Sequence, residues 1–141
     1  MDNTILNADE KELIKNSWAT LVAKSQQIGL HFYTQLFEQH PEFQPLFKDN
    51  TQEQARKLSY IITLVVTKLD KLEHIGEEVK YLGKRHINYQ VRPEYFDPFL
   101  ALLLQSIKEV YPEYWSDELN NAWSKVLHNV GEAMKKVLAG A

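Results

Sequence analysis

The 141-residue chain has no cysteine. That excludes disulfide scaffolds, thiol chemistry, and zinc or iron–sulfur sites built on thiolates. Glycine is scarce, with five residues and no cluster, so no glycine-rich loop is present to cradle a phosphate. Neither sign of charge dominates: 16 Lys and Arg face 19 Asp and Glu, for a formal net charge of −3. That balance gives no electrostatic reason to expect nucleic acid or an anionic membrane as partner. The longest apolar run, 99–104, is far too short to span a bilayer. Met1-Asp2-Asn3 lacks a positive n-region and no apolar stretch follows it, so no signal peptide is read. There is no His-Glu-x-x-His pair and no strained nucleophile turn. What remains is an ordinary soluble composition, 44% apolar, with enough chain for one domain over 1–141 and a core of its own. A cytoplasmic location is the matching expectation.

The apolar residues recur at three and four positions, which is the helical period. Leu13, Ile14, Trp18, Leu21 and Val22 mark a first helix, capped by Asn7 or Asp9. Ile28, Phe32, Leu36 and Phe37 mark a second over 26–39. Pro41 and Pro45 then enclose a compact stretch suited to short helical turns. Asn50 or Thr51 opens a long helix through Leu69. Its β-branched run at 60–67 resembles a strand, but the helical spacing continues beyond it and no turn bounds it. Further helices are predicted over 77–89, from Pro93 to Val110 with Pro98 in the second turn, and over 117–138. The expectation is all-α: about six long helices and one or two short ones, crossed irregularly rather than bundled evenly.

Aromatic residues are the informative excess: three Trp, seven Tyr and six Phe. Phe32, Tyr33, Phe43, Phe47, Tyr95, Phe96 and Phe99 gather beside the corners. Rings can simply fill a small helical core; they can also wall a slot for a flat apolar cofactor. Each of the five histidines reads first as a surface or structural residue. His86 stands out by position: Leu82 lies one turn before it, and Lys84 and Arg85 are cations suited to anionic groups at a pocket edge. A single neutral imidazole is a normal axial ligand of haem iron.

Taken together these residues resemble a globin over essentially the whole chain. Phe32-Tyr33 followed by Leu36-Phe37 resembles the second helix of bacterial globins, and 40–47 resembles the family's corner. Gln54-Ala55-Arg56-Lys57-Leu58 resembles the distal helix. Leu82-Gly83-Lys84-Arg85-His86, with Val91, Pro93 and Phe96, resembles the proximal helix and the start of the next. The likeness is strongest to bacterial single-domain globins and to the haem domain of flavohaemoglobins. It implies a globin fold around haem b (iron protoporphyrin IX), with His86 on the iron and Phe47 stacked on the ring. Tyr33, Gln54 and Leu58 would face the bound ligand, and Lys57 would reach a propionate, with Arg85 also at the cofactor. Phe32, Ile62, Leu82, Val91, Phe96, Phe99, Val126 and Val130 would line the slot.

The likeness has departures. Flavohaemoglobins place a tyrosine ten residues after the proximal histidine, paired with a glutamate on the last helix. Here those positions read Phe96 and Leu138, which removes a hydrogen-bonded push on the iron ligand. The sequence ends at Ala141, and no flavin and nicotinamide reductase is read after the globin segment. Three functions fit the distal pair. Reversible, high-affinity binding of dioxygen comes first. Oxidation of nitric oxide to nitrate by a nitric oxide dioxygenase, served by a separate reductase, comes second. A sensor or sulfide binder comes third. The residues alone do not choose among them.

Overall fold

The computed structural model describes residues 6–47, 50–70 and 92–139. Five α-helices are present among the described residues: α1 (Ala8–Leu21), α2 (Ser25–Gln39), α3 (Thr51–Thr67), α4 (Phe96–Val110) and α5 (Asp117–Ala139). Short 3₁₀ turns join or extend them at Val22–Lys24, Pro41–Leu46, Pro93–Tyr95 and Pro112–Tyr114. No strand occurs among the described residues, so the expected all-α architecture is what forms. The helix predicted over 77–89 lies outside the described residues.

Local chemistry sets the helix starts. Asn7 accepts from the Glu10 N–H at 2.8 Å, and the Glu10 carboxylate accepts from the Asn7 N–H at 3.0 Å, a reciprocal capping box. Asn50 caps α3 by accepting from the Glu53 N–H at 2.8 Å. The Ser116 hydroxyl does the same for Leu119 at the head of α5, at 3.1 Å. Three of the four 3₁₀ turns open on proline, whose fixed φ and missing N–H suit a first turn. Pro98 falls in the first turn of α4, not the second as predicted, because residues 93–95 close as a 3₁₀ turn before the α-helix begins. The β-branched run at 60–67 is helical: Ile62, Val65 and Val66 turn one face of α3 inward, and burial outweighs their weak helix propensity.

Helix α2 packs on α3 and α4, while α5 packs on α1 and α4. At the α2–α3 crossing the Cα of Gly29 lies so close to Ala55 that an added Cβ would stand 2.6 Å from the Ala55 Cβ and 2.8 Å from its Cα. Two tryptophans tie α1 to the rest. Trp123 donates to the Ser17 hydroxyl at 3.0 Å, and that hydroxyl donates to the Ile14 carbonyl at 2.9 Å, so both buried polar side chains are satisfied. Trp18 donates to Thr63 on α3 at 2.9 Å and meets Trp123 edge-on, with ring centroids 6.0 Å apart. Outside this core, Lys125 pairs with Glu10 at 2.7 Å and Lys135 with Asp97 at 2.8 Å.

Candidate functional site

Packing leaves a cavity of about 150 Å³ between α3, α4 and α5, bordered also by Tyr33 of α2 and by Leu46 and Phe47. Protein interiors are otherwise filled to crystal-like density. The wall is almost wholly aliphatic and aromatic. Its polar side chains are Tyr33, Gln54 and Lys57, together with the indole of Trp123, whose N–H is turned to Ser17. A few polar groups in an apolar slot is the ordinary make-up of a cofactor site.

The α2–α3 crossing places the polar pair. Tyr33 lies one turn beyond Gly29 on α2, and Gln54 immediately precedes Ala55 on α3, so the close approach at Gly29 brings both toward the same space. The Tyr33 ring is held by Phe32 (4.8 Å between centroids), Phe47 (5.3 Å) and Phe37 (5.9 Å). Only 4% of the residue is exposed, and its hydroxyl has no hydrogen-bond partner among the described residues. Burial pushes its phenol well above the usual tyrosine range, because a phenolate would lose its hydration. Tyr33 is therefore a fixed, protonated donor. Gln54 is half-buried and contributes an amide donor and a carbonyl acceptor.

Of the residues named from sequence, Tyr33, Phe47, Gln54, Lys57, Leu58, Ile62, Phe96, Phe99, Val126 and Val130 meet on this one cavity. Phe32 sits behind the wall, wholly buried, edge-on to Tyr33 and to Phe99 at 4.7 Å. Leu82, Arg85, His86 and Val91 lie outside the described residues. The cavity also uses Leu46, Ile61, Val65, Leu100, Leu103, Trp123, Leu127 and Met134, which the sequence reading did not assign to it. A signal was available for some: Ile61 and Val65 continue the three-and-four spacing set by Leu58 and Ile62.

The family profile for globins matches residues 30–134. The chain belongs to the globin family. This globin is 30% identical over 146 residues to an anaerobic nitrite reductase of Casuarina glauca, covering 93% of the chain and 87% of that protein. It is 32% identical over 130 residues to a flavohemoprotein of Oceanobacillus iheyensis, covering 89% of the chain. The globin spans about a third of that flavohemoprotein, since the match takes in 32% of its length. Among solved structures, a carbene transferase engineered from a provisionally named nitric oxide dioxygenase of Rhodothermus marinus superposes with a TM-score of 0.83. It is 20% identical, over 96% of this chain and 94% of that one, and so speaks to the fold alone.

The cavity suits the family's haem. A flat apolar macrocycle needs apolar and aromatic surroundings, and Phe47, Phe96 and Phe99 with the aliphatic wall supply them. Its charged propionates need a cation at the edge, and Lys57 on the wall offers one. Among the described residues no helix is long and apolar enough to cross a membrane.

Proposed function

We propose that this globin holds haem b in the cavity, binds dioxygen there and oxidises nitric oxide to nitrate, with electrons from a separate reductase. The stoichiometry is one dioxygen, one nitric oxide and one electron for each nitrate. Haem, when bound, supplies the iron at which dioxygen is taken up and reacts. The protein's part is to bind, orient and keep dry. In this reading His86 ligates the iron, Phe47 stacks on the ring, and Lys57 and Arg85 meet the propionates.

The observation that carries the proposal is the Tyr33 phenol, kept protonated by burial and facing, together with Gln54, a cavity whose wall is otherwise apolar. A dioxygen molecule taken up at the haem would be a hydrogen-bond acceptor facing Tyr33 and Gln54. Donors from Tyr33 and Gln54 hold it there, and each bond is stronger for the low local dielectric. The same donors would keep the ligand in place, and the aliphatic walls would admit nitric oxide, which is small and apolar. Sequence alone placed reversible oxygen binding first. The name of one relative, an anaerobic nitrite reductase, supports nitrogen-oxide chemistry as the fate of that oxygen, and that of another, a flavohemoprotein, supports a flavin-dependent electron supply.

The test is nitrate yield per haem, measured when nitric oxide is added to the oxygenated protein with a generic flavin reductase and nicotinamide. Many nitrates per haem, limited by re-reduction, are expected. A single nitrate per haem at any reductase level would refute turnover and leave an oxygen carrier.

A further inference from the structure

We propose that the Gln54–Lys57 edge of the cavity is a port for small oxyanions, by which nitrate leaves the site. The proposal rests on the function given above, which takes in two neutral diatomic molecules and releases a negative ion. Neutral gases can cross an aliphatic wall, but an anion in apolar surroundings is costly. Its way out must therefore carry hydrogen-bond donors, and is better for a positive charge.

The wall supplies both, in order of exposure. Tyr33 is 4% exposed and offers a phenol O–H. Gln54 and Lys57 are half-buried and offer an amide N–H and an ammonium group. Donor strength and charge thus rise from the inside outward. Gln54 and Lys57 stand three residues apart on α3, which makes them neighbours on one flank of the helix. No aspartate or glutamate borders the cavity among the described residues. Glu53, the one acid of α3, accepts from the Arg56 Nε through both carboxylate oxygens at 3.2 Å, so a cation balances it beside the port. The deeper wall gives an anion nothing: Leu58, Ile62 and Val126 are buried and apolar, and the Trp123 N–H is turned to Ser17.

The attraction is local, because the chain as a whole carries a formal charge of −3 and repels anions. Lys57 can serve here while also meeting a propionate, as in the proposed function. Its ammonium has three donors on a flexible stem, so one anion leaves donors for another.

The experiment follows nitrite, a small oxyanion, into the ferric haem-loaded protein by stopped flow, with carbon monoxide uptake by the ferrous form as the neutral control. From about 10 to about 150 mM salt the screening length shrinks from about 30 to about 8 Å. Nitrite uptake should slow over that range and carbon monoxide uptake should stay constant. Repulsion by the whole chain without a port gives the opposite sign, and nitrite uptake that speeds up with salt would overturn the proposal. Lys57→Gln should lower the ratio of nitrite to carbon monoxide rates about tenfold, and Lys57→Arg should restore it. Equal loss in both rates marks a structural role and overturns the port; if Lys57→Gln fails to hold haem, the salt dependence of the parent decides. Added nitrate should slow nitrite uptake in the parent. A failed port with many nitrates per haem leaves the dioxygenase reading standing, whereas a protein that develops no haem band overturns both.

Discussion

The same substitution at two glycines should have opposite effects. At Gly29 a Cβ would stand 2.6 Å from the Cβ and 2.8 Å from the Cα of Ala55, atoms that no rotamer change can move. Restoring an ordinary contact requires α2 and α3 to separate by about 1 Å. Ile28, Phe32, Leu58 and Ile62, all buried near this crossing, would lose packing together. Overpacking of this kind costs about 1–3 kcal/mol, against about 0.5–1 kcal/mol gained by replacing a helical glycine with alanine. Gly29→Ala should therefore lower stability by about 1–2 kcal/mol. At Gly131 the added Cβ would meet Leu100 Cδ1 at 2.6 Å. That atom is the free end of a flexible side chain beside the cavity, with room to turn. Gly131→Ala should be neutral, or stabilising by up to about 1 kcal/mol. Urea unfolding at matched m-values measures both. Equal midpoints for the two variants, or a Gly29→Ala protein as stable as the parent, would refute the claim that the α2–α3 approach needs a missing side chain. Because that approach also positions Tyr33 and Gln54, Gly29→Ala should weaken oxygen retention, whereas Gly131→Ala should leave the distal pair in place.

Four further outcomes are expected. Tyr33→Phe should speed oxygen release by about tenfold, since a lost buried hydrogen bond is worth about 1–2 kcal/mol; stopped flow reads it directly, and an unchanged off-rate removes the role given to Tyr33. His86→Ala should abolish stable haem retention, measured by transfer of haem to a colourless acceptor protein. Glu10 is held below the usual carboxylate range first by its hydrogen bond from Lys125 and then by the Asn7 N–H. Its contribution is present above the unfolded-state carboxyl pKa and fades as pH falls through the lower folded value. The stability gap between the parent and Glu10→Gln should accordingly be open at neutral pH and close in acid, as followed by urea melts across that range. Ser106 is wholly buried and its hydroxyl has no hydrogen-bond partner among the described residues, so Ser106→Ala should be neutral or raise stability by about 1 kcal/mol in thermal melts.

Local features were the most legible in the sequence. Asn7 and Asn50 announce α1 and α3 because a short polar side chain before an apolar period has one good use, the orphan N–H groups of a first turn. The helical reading of 60–67 held against β propensity because its apolar residues face one side over several turns. Ser116 gives no comparable signal, although its hydroxyl caps α5, since serine is common in caps and in loops alike. The ten pocket residues that converge on the cavity were named from family likeness, which carries three-dimensional information that spacing lacks. Long-range geometry was not legible. The Trp18–Thr63 bond joins residues 45 apart, Trp123–Ser17 joins residues 106 apart, and nothing in either neighbourhood names its partner. The same holds for Gly29, which reads as a weak point in a helix until Ala55 is placed against it.

The packing of the first helix on the last has a consequence for biogenesis. Trp123, Val126, Leu127, Val130 and Met134 are all wall residues carried by α5, and that helix is steadied by Ser17, Trp18 and Glu10 of α1. A nascent chain that has not yet released residues 117–134 from the ribosome lacks an entire side of the cavity, however well α2 and α3 have already crossed. In the proposed reading, the haem site would be complete only once the first and last helices have met.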